Sequence, residues 1–110
     1  MARTPKRLAG PLLVTNSAAT RYTVPSSPVT KTIIRHIHVS NPSASPVTFT
    51  LTIGADTAAV RLFDAFSVPP ASVLDHFCYY IVESAEVMQT NAGTTNILVF
   101  TMNGDEITLG

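Results

Sequence analysis

The sequence has few charged residues, a single cysteine, no tryptophan and no long apolar run. Only 13% of its 110 residues are charged and 45% are hydrophobic, which argues against intrinsic disorder, because disordered chains have the opposite balance. Cys78 has no second cysteine to pair with, so it predicts neither a disulfide nor a cysteine zinc site. No apolar run reaches the roughly 18 residues of a membrane-spanning helix. The apolar stretch PLLV after the basic N-terminus is too short for a signal-peptide core.

Alternating apolar and polar residues predict β-strands. From Val47 to Gly54 every second residue is apolar and the residues between are threonines, which predicts a buried apolar face and a wetted threonine face. Residues 31–40, KTIIRHIHVS, also read as a strand. The NPSASP segment between the two runs consists of turn-forming residues. The two strands are therefore expected to form a hairpin or a close sheet pair.

Shorter runs predict the remaining strands. Residues 58–68 indicate a bulged strand or a short helical piece, and residues 72–84 indicate a buried strand because aromatic and branched residues fill them. Further strands are expected at 12–16, 20–25 and 86–91, and two more around a turn at Asn103–Gly104. About eight short strands without a convincing helix predict an all-β, single-domain antiparallel β-sandwich that is jelly-roll-like.

Charge is unevenly distributed along the chain. Every lysine and arginine except Arg61 precedes Asp56, the first acid. The asymmetry is either chance in a small sample or a sign of complementary charge between neighbouring copies in an assembly. Residues 1–10 offer little to bury, so they predict an N-terminal basic arm ahead of a β-sandwich domain at 11–110.

His36 and His38, in the stretch RHIHVSN, are the candidate metal ligands. They lie two positions apart on one strand, so their imidazoles share a face. Metal-binding jelly rolls of the cupin type follow such a pair with a glutamate, whereas here no acid occurs before Asp56. The sequence therefore favours a half-exposed face of Ile34, His36 and His38 at a subunit contact, and we expect no metal and no cofactor.

Other chemistries have weaker signals. No Gly-x-Ser-x-Gly elbow frames a serine and no glycine-rich loop precedes a helix, so we expect no enzymatic activity. The three arm charges are few for nucleic-acid binding, and the aromatic residues are scattered rather than grouped for base stacking. Tyr22, Tyr79 and Tyr80 are available for sugar binding, but core or interface packing is the default for such residues.

Four stretches of the chain resemble small structural proteins of tailed-bacteriophage virions. They are YTVPSS, KTIIRHIHVSNPSASPVTFTLTIG, LFDAFSVPPASVLD and TNILVFTMNGDEI, which together cover about residues 20–107. These motifs are structural rather than catalytic. The resemblance implies a β-sandwich virion component without enzymatic activity, assembled in the cytoplasm of the host bacterium.

The expected role is that of a capsid decoration or auxiliary head protein that docks as a homo-oligomer, with a trimer favoured. The arm residues Arg3, Lys6 and Arg7 are expected to contact a neighbouring subunit or the major capsid protein. Neither a membrane nor a nucleic acid is expected as a partner. The alternatives are a neck or tail protein, a host-glycan-binding module, and a metal-dependent jelly-roll enzyme with a ligand set of His36, His38 and His76.

Overall fold

The described part of the chain forms eight strands. A computed structural model describes residues 2–55 and 57–109. The strands are β1 (Ala2–Leu13), β2 (Ala19–Thr23), β3 (Thr30–Asn41), β4 (Val47–Ile53), β5 (Arg61–Val68), β6 (Ser72–Val82), β7 (Val87–Ala92) and β8 (Val99–Thr108). One turn of 3-10 helix at Ala58–Val60 precedes β5, so both structures expected for residues 58–68 occur in succession. Within the described ranges, no helix is long and apolar enough to cross a membrane.

The strands form two antiparallel sheets with jelly-roll topology. Sheet A has the order β1-β8-β3-β6 and sheet B the order β2-β7-β4-β5. The pairs 1/8, 2/7, 3/6 and 4/5 arise when one long antiparallel hairpin is rolled up, so that successive pairs alternate between the sheets. This is the arrangement of an eight-stranded jelly roll. The predicted all-β sandwich is therefore confirmed.

The core lies between the two sheets and uses the apolar face that the alternation predicts. Phe49 and Leu51 of β4 are fully buried, and Phe49 packs against Phe100 of β8 with ring centroids 5.7 Å apart. The threonine face differs from the prediction, because Thr50 and Thr52 are buried too. Their hydroxyls are satisfied by the backbone: Thr50 accepts from the Ala65 N–H, and Thr52 donates to the Gly54 carbonyl.

The loop between β3 and β4 carries the chain from sheet A to sheet B, so the predicted hairpin is wrong. Asn41 organises this crossover. Its Nδ2 donates to the Ser45 carbonyl at 2.8 Å and to the Val68 carbonyl at 3.0 Å, while its Oδ1 accepts from Ser43. The turn-forming residues are thus used for a loop that joins the two sheets.

A bulge in β3 changes which residues face the core. The pairing of β3 with β8 shifts register between Ile34 and His36, so Arg35 is the extra residue opposite β8. Opposite β6 the same step of β3 spans Cys78 and Tyr79, so there β6 has the extra residue. Ile34 and Ile37 consequently both point inward and are fully buried. The prediction that Ile34 shares a contact face with His36 and His38 is therefore wrong, since Ile34 is inaccessible to a partner.

β8 is one continuous strand, so the predicted turn at Asn103–Gly104 is absent. Gly104 lies in the strand because β3 passes close by: a Cβ atom at this position would lie 2.1 Å from the Ile33 carbonyl oxygen. The glycine provides a close backbone approach rather than a change of direction.

The N-terminal segment expected as an arm is an edge strand of sheet A. β1 pairs with β8 from Ala2 opposite Thr108 to Leu13 opposite Val99. Side chains 3–7 are exposed, as expected, but Leu8 and Ala9 pack into the core. Strand pairing needs only the backbone, which is why a segment with little to bury joins the sheet. The boundary at residue 10 is corrected accordingly, because a deletion of residues 1–10 would remove most of a strand.

Candidate functional site

The outer face of sheet A, which points away from sheet B, carries an exposed apolar row on β6. The apolar residues at alternate positions of this strand are 50–78% exposed, and we call them the β6 row: Val73 50%, Phe77 78%, Tyr79 61% and Ile81 52%. The residues between them, including Leu74, Cys78 and Tyr80, pack against the core. The strand predicted at residues 72–84 is thus present, but its inward face is only half-buried and its outward face is exposed. Partial burial raises the pKa of the Cys78 thiol, in line with its packing role.

β6 also ends the sheet. It pairs with β3 on one side, and the described residues place no strand on its other side. Proteins usually protect such an edge with charges, prolines, bulges or a very short strand. β6 has 11 residues, and Asp75 is the one charged residue on its outward face. A long edge strand with an aromatic outer row is a candidate surface for contact with another chain.

His36, His38 and Asp75 meet beside this row. In the pairing of β3 with β6, His38 lies opposite Asp75 and His36 lies opposite Phe77. The His38 Nδ1 lies 2.6 Å from Asp75 Oδ1, and the His36 Nε2 lies 3.0 Å from the same oxygen. The His36 ring stacks on Phe77 with centroids 4.5 Å apart. The hydrogen bonds from His38 and His36 hold the pKa of Asp75 below its usual range.

The acid in this cluster is the residue that sequence reasoning missed. Asp75 is separated from His38 by 37 positions, so no local motif joins them. Only the register of β3 against β6 brings the carboxylate to the histidine pair. His76 does not join them: it faces inward, 3.0 Å from the Tyr80 hydroxyl and packed edge-on against Phe63. The ligand set of His36, His38 and His76 is therefore not brought together.

A second polar cluster surrounds Asp105 on the same face. Asp105 Oδ2 accepts from Arg35 Nε at 2.6 Å and from Arg3 Nη2 at 2.7 Å. These two guanidinium groups, Arg35 first, hold the pKa of Asp105 below its usual range. Arg35 also lies 5.5 Å from the Tyr79 ring centroid, within cation–π range. The cluster connects β1, β8, β3 and β6.

Two of the predicted arm residues therefore form ion pairs within the chain. Arg3 pairs with Asp105, Lys6 pairs with Glu106 at 3.2 Å, and Arg7 is exposed on the same strand. Antiparallel pairing of β1 with β8 places the basic N-terminal segment beside the acidic C-terminal one. The uneven charge thus has an intramolecular explanation, and complementary charge between copies stays a prediction.

Replacing Asp105 with asparagine is expected to weaken the fall in the free energy of unfolding that occurs when the pH is lowered. Because its folded-state pKa lies below the unfolded value of about 3.9, the carboxylate stabilises the fold above that pH. This contribution is lost as the pH falls through the lowered folded-state pKa. Urea unfolding between pH 7 and pH 2 should show a variant that is less stable at neutral pH and loses less on acidification. Equal acid slopes in the two proteins would contradict the assignment.

Comparison of the chain with protein-family models, with curated proteins and with solved structures finds no significant match.

Proposed function

We propose that this chain is a non-enzymatic structural subunit of a tailed-phage virion, a head decoration protein that docks as an oligomer. The observation that carries the assembly role is the β6 row on an unpaired edge strand. The assignment to a phage particle rests on the four sequence stretches that resemble small virion proteins. Three copies are the expected oligomer.

The energetics of the β6 row support contact with further copies of the chain. Burying one large apolar side chain contributes about 1.5–3 kcal/mol, so Phe77 and Tyr79 together offer enough to anchor a contact. The free edge of β6 adds unpaired backbone donors and acceptors that a neighbouring chain can satisfy. Symmetry repeats such a contact around a ring or across a lattice, which converts modest single contacts into strong attachment.

The same surface allows a second candidate function, because exposed aromatic rings also stack on sugars. Phe77 and Tyr79 are both exposed, which would suit a host-glycan-binding module. One face of the Tyr79 ring is approached by Arg35, and the His36 ring stacks on Phe77. These neighbours reduce the ring surface that is open to a sugar, so the assembly role is favoured.

Replacing Phe77 with aspartate is expected to weaken self-association at least about tenfold, since a central aromatic anchor contributes more than about 1.4 kcal/mol. Sedimentation velocity across a concentration series measures the effect. Val29→Asp is the matched control, because Val29 is 51% exposed and lies outside β6. A wild-type chain that stays monomeric, or a Phe77→Asp variant that associates like the control, would overturn the contact.

The virion role is tested separately by the number of copies per phage particle, measured by quantitative mass spectrometry. Copies in the hundreds are expected for a head decoration protein. A copy number of about six or twelve, as in one ring, would indicate a neck or tail protein instead. Absence from particles would overturn the virion role. Saturable binding on a glycan array that Tyr79→Ala abolishes would support the binding module instead.

A further inference from the structure

The geometry points to a binding site for one divalent transition-metal ion, with Zn²⁺ as its representative, formed by His36, His38 and Asp75 on the outer face of sheet A. One ligand atom from each residue lies within 4.8 Å of the other two. This site is a property of the chain itself and does not depend on the proposed virion role.

Strand pairing holds the three ligands together before any ion binds. His36 and His38 project from the same face of β3, with ring centroids 6.0 Å apart. Asp75 projects from β6 directly opposite His38. All three side chains therefore stand on paired strands rather than on loops, and positions on paired strands are well defined. The stack of Phe77 on His36 at 4.5 Å further restricts the orientation of that ring.

The distances are close to those of a metal centre. Zinc lies about 2.0–2.2 Å from nitrogen and oxygen ligands, which places tetrahedral ligand atoms about 3.3 Å apart. The His36 and His38 nitrogens lie 3.0 and 2.6 Å from Asp75 Oδ1. The two nitrogens lie within 4.8 Å of each other, so an ion entering the cluster must draw them together by at most about 1.5 Å. The half-exposed Asp75 leaves the remaining coordination positions open to water.

The donor atoms determine the class of metal. Two imidazole nitrogens and one carboxylate oxygen suit zinc and neighbouring transition metals, whereas calcium and magnesium require oxygen ligands. Both imidazoles must present a lone pair to the ion, so the proton on His36 Nε2 moves to its Nδ1 and the proton on His38 Nδ1 moves to its Nε2. Asn103, whose side-chain Nδ2 lies 3.2 Å from His36 Nδ1, then accepts a hydrogen bond from the protonated Nδ1 through its Oδ1 after an amide flip. Such an outer partner orients a metal-binding histidine.

Isothermal titration of the metal-stripped, full-length chain with zinc chloride tests the site. We expect saturable binding of one ion per chain, accompanied by a rise in Tm. His38→Gln and the nearly isosteric Asp75→Asn should each weaken zinc binding at least about a hundredfold. Asn103→Leu should weaken it by about tenfold. Cobalt in place of zinc should give the visible absorption of a low-coordinate nitrogen and oxygen site in the wild type and not in His38→Gln.

The matched control is His76→Gln, which removes the third histidine from the inner face of β6 and should leave zinc affinity within about threefold. Circular dichroism checks that each variant is folded. If His38→Gln does not fold, Asp75→Asn still tests the site. Absence of saturable zinc binding would overturn the site. Zinc binding that both ligand variants retain, or that His76→Gln loses as strongly as they do, would overturn it as well.

Discussion

Replacing Phe100 with alanine is expected to lower the free energy of unfolding by about 3–5 kcal/mol. Phe100 is fully buried, and its ring lies 5.7 Å from that of Phe49, which belongs to the opposite sheet. Removing the ring forfeits its transfer free energy and leaves a cavity between the sheets, where paired strands limit the collapse of the surrounding core. Urea unfolding at neutral pH, fitted for both the midpoint and the slope, measures the loss.

Phe77→Ala is the matched control, because it makes the same chemical change at a side chain that is 78% exposed. Here only the stack on His36 is lost, so we expect a cost of about 1 kcal/mol or less. A cost at Phe77 that equals the cost at Phe100 would contradict the assignment of the two faces. Phe100 is thus expected to serve folding and Phe77 to serve contact with another copy.

The distribution of apolar residues on β6 explains why the sequence could predict this strand but not its exposure. In residues 72–82 both alternating faces are mostly apolar, a pattern typical of a strand buried on two sides. The isolated chain covers only one of these faces, and that face is half-buried. The second face is as apolar as a buried surface, although no part of the described chain covers it. That mismatch is the physical basis for proposing a partner there.

The sequence could predict which residues of a strand face the core where the period of two is unbroken. It could not predict which strands pair with each other. In β4 the apolar positions are in the core as predicted. In β3 the bulge at Arg35 reverses the faces of the residues before it, and no local pattern signals that extra residue. Strand partners depend on contacts between distant segments, so alternation alone could not distinguish a hairpin from a crossover between sheets.

The candidate metal site shows the same division between local and distant information. The histidine pair could be recognised from spacing, because residues two apart on a strand share a face. The carboxylate could not, since Asp75 reaches the pair only through the register of β3 with β6. Because no acid lies near the pair in sequence, sequence reasoning predicts no metal site. The fold nevertheless places Asp75 of the neighbouring strand beside the two histidines.

Replacing Gly104 with alanine is expected to lower the free energy of unfolding by about 2–3 kcal/mol. The added Cβ would lie 2.1 Å from the Ile33 carbonyl oxygen and 3.1 Å from Leu8 Cδ1. The end of the Leu8 side chain is able to move, but the carbonyl belongs to β3. Relief of the clash therefore requires β3 and β8 to separate where Ile34 lies opposite Gly104. Urea unfolding measures the loss, and amide hydrogen exchange should locate it in these two strands.

Gly54→Ala is the comparison that separates steric crowding from backbone strain. Gly54 has a φ of +99°, and a Cβ added there would meet no neighbouring atom within 4 Å, so its substitution costs only the strain of a left-handed backbone, about 1 kcal/mol. Were Gly104 a turn residue, the two variants would behave alike. Because Gly104 lies inside a strand, its variant should be the less stable one and should also disturb the bulge at Arg35, and with it the ion pair to Asp105. Equal stabilities with unchanged exchange in β3 would contradict this account of the close approach.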